Sequence, residues 1–570
     1  MCDVLLVTGN KRAYNLREAF DSMLLATILD NAGINVEILS FSDLWDENYP
    51  EFCESFTKKI AESGCRLVVF QGYWFSFLAM LRIAEKLKKI NSKIANLFFG
   101  AQVTNTGAEL LENMPFIDYI YIGEIENKIV DIANGIMYDN SALNNVHYLY
   151  FKGKRESNTE YDVTENVADV DVLPRINLKF VKVDYKQKDN FRLPINVGRG
   201  CPYRCTFCSI CISRGRRFRL RSTDKIIEDI KYYTEAGISK FAITHDSFFV
   251  NHEKIFELCE KIKQNNLNVK IYAGGRIDNV DNPLLDKMLE CGFDQFDFGI
   301  ETGSPDMQIK INKKLDLEKS FEKIKYLREK GAKIEGYFIS GLPEETEKDL
   351  AQTINYMLDL RAIGAMATMG SCMFSTRSKL YDDYYENLEY DNTNFNTLKS
   401  VVGYGFEEDW ILNYKSIFAY LYDLKTTLRH NYKYICIFYN VFIKNTNTLL
   451  YLRELFGREN VLEIYKVFLR SNNNLIGLSF EELRGLYKNP QKVISNVIEY
   501  LKENQYYNVI KGIFELETDI NNIKTAQTIM KSYPLDYSAY KQKLTLDKLG
   551  KKSSNLLICH TGKQITINEL

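Results

Sequence analysis

Eleven residues constrain this chain more than any others: Gly198-Arg-Gly-Cys-Pro-Tyr-Arg-Cys-Thr-Phe-Cys208. Cys201, Cys205 and Cys208 have three and then two residues between them, and the stretch follows the apolar run Leu193 to Val197. A strand that ends in a glycine-rich loop lets the backbone curl, so that all three sulfurs can converge on one object. Three thiolates suit an iron–sulfur cluster with one iron left open, because a cluster held wholly by protein takes four. The open iron can then hold a small molecule. Cys211 supplies a fourth thiol, and four thiolates also suit a tetrahedral zinc ion. Spacing by itself leaves both centres open.

The stretch resembles the Cys-x3-Cys-x2-Cys signature of the radical S-adenosylmethionine (SAM) enzymes, down to the aromatic Phe207 before the last cysteine. The resemblance implies a 4Fe–4S cluster on Cys201, Cys205 and Cys208, with Phe207 beside the bound SAM. It also implies that the open iron chelates the amino and carboxylate groups of SAM. An electron from the cluster then cleaves SAM to a 5′-deoxyadenosyl radical.

The rest of the chain agrees with a soluble enzyme of several domains. Its 570 residues allow roughly three or four domains of about 150 residues each. A net charge of −2 gives no global reason to expect nucleic acid or an anionic membrane as partner. The chain opens on the apolar run Val4 to Val7 without a signal-peptide pattern, and no apolar run approaches the roughly 18 residues of a membrane span. Twelve scattered cysteines then read as reduced thiols, and a cytoplasmic location is expected.

Residues 1–137 alternate short apolar runs (4–7, 35–39, 66–70, 94–99 and 119–122) with amphipathic segments at 16–31, 55–63 and 78–89. That alternation predicts a doubly wound, Rossmann-like parallel sheet, α/β in class, covered on both faces. Ligands of such sheets bind at the carboxyl ends of the strands, here the loops at Thr8, Gly72-Tyr73-Trp74, Gly100 and Gly123-Glu124. The stretch from Phe98 through Gly100-Ala-Gln to Asp118-Tyr-Ile-Tyr-Ile-Gly-Glu124 resembles the cobalamin-binding domain that precedes the radical SAM domain in one subgroup. Gly100-Ala-Gln departs from the usual glycine pair, and the domain has no Asp-x-His-x-x-Gly. The resemblance therefore implies cobalamin bound without a histidine on the lower face of cobalt, with Tyr73 or Trp74 walling that face.

Residues 138–190 lose the periodicity and read as a connector. From 191 to 374 the alternation restarts, with strands expected at 193–197, 240–245, 270–273, 295–300, 333–340 and 365–373. Six strand–helix repeats are fewer than the eight of a closed barrel and resemble the open (β/α)6 partial barrel of the radical SAM core. Within it the resemblance assigns SAM contacts to Asp246, Arg276, Glu301 and Ser340. Glu301, in Gly299-Ile-Glu-Thr-Gly303, would accept ribose hydroxyls; the alternative is a structural salt bridge to Arg276. In Ser340-Gly-Leu-Pro-Glu-Glu-Thr346, helix-start amides assisting SAM and simple capping by Glu345 and Thr346 stand equal. His245 reads first as a packed side chain, Lys313 and Lys314 equally as a solvated helix start, and the arginines from Arg214 to Arg221 as a solvated run.

Beyond 375 the resemblance fades into segments of helical spacing (410–429, 447–455 and 492–503), read as a helical C-terminal domain, 375–570, covering the barrel. The function implied is a cobalamin-dependent radical SAM methylation of an unactivated carbon in a peptide or natural product. Its reductant would be of the flavodoxin or ferredoxin type. Carbon–carbon bond formation, rearrangement or cyclisation without methyl transfer is the alternative on the same scaffold, and a non-catalytic zinc protein is the second.

Overall fold

A computed structural model describes residues 2–9, 16–44, 48–107, 109–153, 166–182, 191–390 and 401–432, and shorter stretches between 434 and 566. The chain divides into two compact units. One comprises Met1–Gln295, Met373–Asn392 and Ser400–Leu424; the other is built mainly from Phe296–Cys372 and Lys425–Leu570.

The first unit begins with a six-stranded sheet: β1 (Val4–Thr8), β2 (Val36–Ser40), β3 (Leu67–Gln71), β4 (Ala95–Phe99), β5 (Tyr119–Tyr121) and β6 (Leu149–Phe151). Their order is β2-β1-β3-β4-β5-β6. Every residue of β1 and β3 is buried, as expected of central strands covered on both faces. Helices Leu16–Asn31, Tyr49–Glu62 and Phe77–Ile90 fall where the apolar spacing puts them. β1 to β5 pair in parallel as expected, and β6, from the connector, adds an antiparallel edge, with Tyr119 opposite Phe151. A short strand returning at a sheet edge needs no crossover helix, so it can pair in this sense. The strand order reverses between β1 and β3, which puts the crevice of the sheet beside Thr8 and Gly72.

The same unit holds three neighbouring parallel strands, β7 (Leu193–Asn196), β8 (Lys240–Thr244) and β9 (Lys270–Gly275). Strand β10 (Phe293–Glu301) carries the chain into the second unit, where β11 (Lys333–Ser340) and β12 (Met366–Ser371) pair in parallel register. All six strands of the expected partial barrel are thus present.

The helix expected over 410–429 is broken. Helices Glu408–Asn413 and Lys415–Phe418 are followed by a strand, Tyr422–Leu424, antiparallel to Leu388–Tyr390. Side chains claim the carbonyls a continuous helix would use: Gln102 Nε2 donates to Ile417 O (3.0 Å) and the Tyr422 hydroxyl to Ile411 O (2.7 Å). Residues 400–424 pack in the unit of the N-terminal sheet, where Val402 N donates to Phe75 O and Glu407 accepts from Tyr49 and Arg82. The chain re-enters the unit of the N-terminal sheet at Met373 and leaves it for the last time after Leu424. Most of the segment expected to be helical at 492–503, and Cys559, lie outside the described residues.

Candidate functional site

The cysteine loop is shaped by two glycines. Gly198 and Arg199 form a two-residue ribbon with Arg219 and Leu220. A Cβ at Gly198 would lie 2.3 Å from Arg219 O and 2.8 Å from the His245 ring. Gly200 has φ +88°, and a Cβ there would lie 2.1 Å from Arg217 O, so only glycine fits. The loop is tied by its backbone: Cys201 N donates to Gly215 O (3.2 Å), Cys208 N to Cys205 O (3.2 Å) and Gly200 N to Asp246 Oδ2 (2.7 Å). Of the eleven cysteines among the described residues, seven are buried; the half-exposed four are Cys201, Cys205, Cys208 and Cys211. Burial pushes the Cys208 thiol up to about 12 and raises that of Cys201, so both are protonated at neutral pH until a metal displaces the proton. Among the described residues no three of His, Cys, Asp and Glu gather around a single metal ion.

Arg276, at the end of β9, faces this loop. Its Nη1 lies 3.8 Å from Cys205 Sγ, its Nε and Nη2 bind Asp278 (3.0 and 2.7 Å), and its guanidinium lies 4.3 Å from the Tyr203 ring centroid. His245 is a packed neutral imidazole: its Nδ1 accepts from Ser247 N, its ring lies 4.7 Å from that of Phe218, and burial, then Arg219, lowers its pKa to about 3.

At the carboxyl ends of β4 and β5 a cavity of about 20 Å³ is lined by Asp21, Gly100, Gly123, Glu124, Glu126 and Arg214, among others. Buried and partly buried ion pairs surround it. Arg219 binds both oxygens of Glu124 (2.8 and 2.9 Å), Arg199 binds Glu126 (2.5 Å), and Arg214 binds Asp21 (3.0 Å). Burial works against ionised Glu126, but Arg199 and then Arg214 hold its pKa below the usual carboxylate value. The expectation of a solvated arginine run is therefore corrected for Arg214, Arg219 and Arg221, the last paired with Asp229 (2.6 Å); Arg216 and Arg217 are exposed. An arginine fork beside a carboxylate gains more from a fixed pair than from water only where the surroundings are already dry.

Several strand-end residues named from the sequence meet here. Tyr73 donates its hydroxyl to Asp21 Oδ2 (3.1 Å), which also accepts from Gln71. Gly100 has φ +109°, and a Cβ on it would lie 3.1 Å from Gly72 O; close approach of two loops explains that glycine. Trp74 is half-buried and packs edge-on to Phe75. Thr8 is buried at the end of β1, and its hydroxyl has no hydrogen-bond partner among the described residues.

In the second unit Glu301 ends β10 with φ +70°, a region that costs a non-glycine residue about 1–3 kcal/mol. Its Oε1 accepts from Lys313 Nζ at 2.6 Å, and both residues are buried. Gly299 makes room for the pair: a Cβ there would lie 2.3 Å from Glu301 Oε1. The partner is thus Lys313, not Arg276, and Lys313 is not solvated. Ser340 is buried, its hydroxyl 3.3 Å from both Gly370 O and Cys436 Sγ. Glu345 folds back to accept from Gly341 N (2.6 Å), and Thr346 with Asp349 forms a capping box, so both side chains serve the turn itself. Burial raises the Glu345 pKa to about 7 against the pull of Gly341 N and Arg429.

Residues 195–357 match the radical SAM superfamily. An uncharacterized methyltransferase of Pyrococcus horikoshii is 27% identical over 301 residues, 52% of this chain and 64% of that protein. Among solved structures, the radical SAM methyltransferase TsrM of Kitasatospora setae, with cobalamin and a 4Fe–4S cluster bound, aligns with a TM-score of 0.56. The identity is 17%, over 69% of this chain and 81% of TsrM. OxsB, a cobalamin-dependent SAM radical enzyme with aqua-cobalamin and SAM bound, aligns at 0.55 and 13% identity, over 96% of this chain and 84% of OxsB. At these identities the structures show a shared fold. The chain spans less than two thirds of the length of the curated relatives it matches first.

Proposed function

For a chain whose residues 195–357 match the radical SAM superfamily, we propose the activity of a cobalamin-dependent methyltransferase acting on an unactivated carbon of a peptide or natural-product substrate. The observation that carries it is the cysteine loop, whose Cys201, Cys205, Cys208 and Cys211 are the half-exposed thiols among the described residues, in one unit with the six-stranded N-terminal sheet. When bound, the cluster, SAM and cobalamin supply the electron, the hydrogen-abstracting radical and the methyl group. The chain's own part is to hold and orient.

Cys201, Cys205 and Cys208 would hold the cluster. Asp246 fixes the loop through Gly200 N with Oδ2, which leaves Oδ1 for the SAM ammonium, with Phe207 beside the methionine part. Glu301 is held by Lys313 through Oε1, and its Oε2 is the acceptor offered to ribose; Ser340 is the further contact of that strand-end face. For cobalamin the fitting feature is Thr8, a buried hydroxyl without a partner among the described residues, at the switch point of the sheet. Gly72, Trp74, Gly100 and Gly123 belong to the same strand-end loops, as do Tyr73 and Glu124, which are held by Asp21 and Arg219. A flavodoxin- or ferredoxin-type donor would deliver the electron.

Anaerobic reconstitution with iron, sulfide and hydroxocobalamin tests the reading. Co-elution of four irons per chain (roughly, the cluster's content) with a corrin spectrum is expected, with 5′-deoxyadenosine and S-adenosylhomocysteine both formed from SAM. Protein that takes up zinc but no iron would overturn the reading. Iron without cobalt would leave SAM cleavage and remove methyl transfer.

A further inference from the structure

We infer that Arg276 is a positioning residue of the cluster: it braces the cysteine loop and sets the reduction potential through the thiolate of Cys205. The inference rests on the cluster reading above and departs from the assignment of Arg276 to SAM. Asp278 and Tyr203 both hold the guanidinium. Asp278 takes Nε and Nη2 together, a two-point grip that fixes the plane as well as the position of the group. The Tyr203 ring covers one face. Tyr203 is itself held, its hydroxyl donating to Asn279 Oδ1 at 2.6 Å, so the turn Arg276-Ile-Asp-Asn279 grips the loop between Cys201 and Cys205. What this grip leaves for Cys205 is Nη1, at 3.8 Å from the sulfur, a donor distance for sulfur.

Arg276 is 8% exposed, so water screens the contact poorly. Reduction adds one negative charge to the cluster, and donors on its sulfurs favour the reduced form. Withdrawing this donor makes reduction harder, whereas a residue that only contacted SAM would leave the potential of SAM-free protein unchanged.

Potentiometric titration of the reconstituted, SAM-free protein, followed by the electron paramagnetic resonance signal of the reduced cluster, tests this. Arg276→Gln is expected to make one-electron reduction about tenfold less favourable, 59 mV more negative, with iron content retained. Arg276→Lys keeps the charge but not the fork, and is expected to lie between wild type and Arg276→Gln; it also serves if the glutamine variant loses its iron. An unchanged potential in both variants overturns the inference, and a loss of SAM affinity at unchanged potential returns Arg276 to SAM binding. Absence of a reduced-cluster signal in the wild type would instead overturn the cluster reading.

Discussion

Two strand-end loops carry the residues on which the proposed chemistry rests, and they are built in opposite ways. In the Gly198–Cys208 loop the functional side chains are half-exposed, and the ties are mainly backbone hydrogen bonds and the Asp246 carboxylate. In the Gly299–Gly303 loop the functional side chain is buried in a left-handed backbone conformation and is already ion-paired to Lys313. Gln308 closes that loop further, donating to Ile300 O (2.7 Å) and Thr302 O (2.8 Å). A metal loop can leave its last ordering to the metal, because ligand bonds contribute several kcal/mol each way to folding. A carboxylate meant for hydroxyl groups gains too little per hydrogen bond, so its geometry has to be set by the protein beforehand.

The largest effect should follow from emptying the open loop. Replacing Cys201, Cys205 and Cys208 with alanine should remove the iron and all 5′-deoxyadenosine formation, while Cys211→Ala keeps both; iron analysis and product chromatography decide. Loss of iron in the Cys211 variant would make that thiol a ligand and weaken the contrast.

The closed loop should respond in stability as well as in binding. Lys313→Ala leaves Glu301 buried without its cation and is expected to cost about 3–5 kcal/mol in denaturant unfolding. Glu301→Ala should weaken SAM binding ten- to a hundredfold, the scale of about 1.5–3 kcal/mol for a hydrogen bond to a charged group, with iron unchanged. Unaltered SAM affinity would make the pair purely structural and remove the contrast between the loops.

The smallest effect is one of pH in the second unit. Glu345 has a raised pKa in the fold, so its contribution is complete below the ordinary carboxylate value near 4.5 and is lost as pH rises through about 7. Over that window the loss is up to about 3 kcal/mol. Glu345→Gln should flatten the stability profile between these pH values in thermal or denaturant unfolding; an unchanged slope would show that Arg429 compensates the charge in full.

Local patterns in the sequence were enough for most element types and for the curl of the loop that carries the cysteines. Apolar runs between amphipathic segments can bury themselves only as a covered parallel sheet, and three cysteines so close in sequence need no long-range contact to meet. Glycines 198 and 200 were legible as a curled loop for the same reason. What required the tertiary structure is every partner choice between charges. Glu301 and Lys313 are joined through a turn in which Asn312 and Lys314 have positive φ, a geometry that residue types do not announce. Arg214 and Arg219 read as solvated charge, yet they pair with Asp21 and Glu124 from distant parts of the chain. The break in residues 410–429 has the same origin, since helical spacing cannot foresee that Gln102 and Tyr422 will take the backbone carbonyls. Periodicity reports the burial of apolar surface, which is non-directional and summed along a segment. Ion pairs and hydrogen bonds depend on the position and angle of single atoms, and those exist only once the chain has folded.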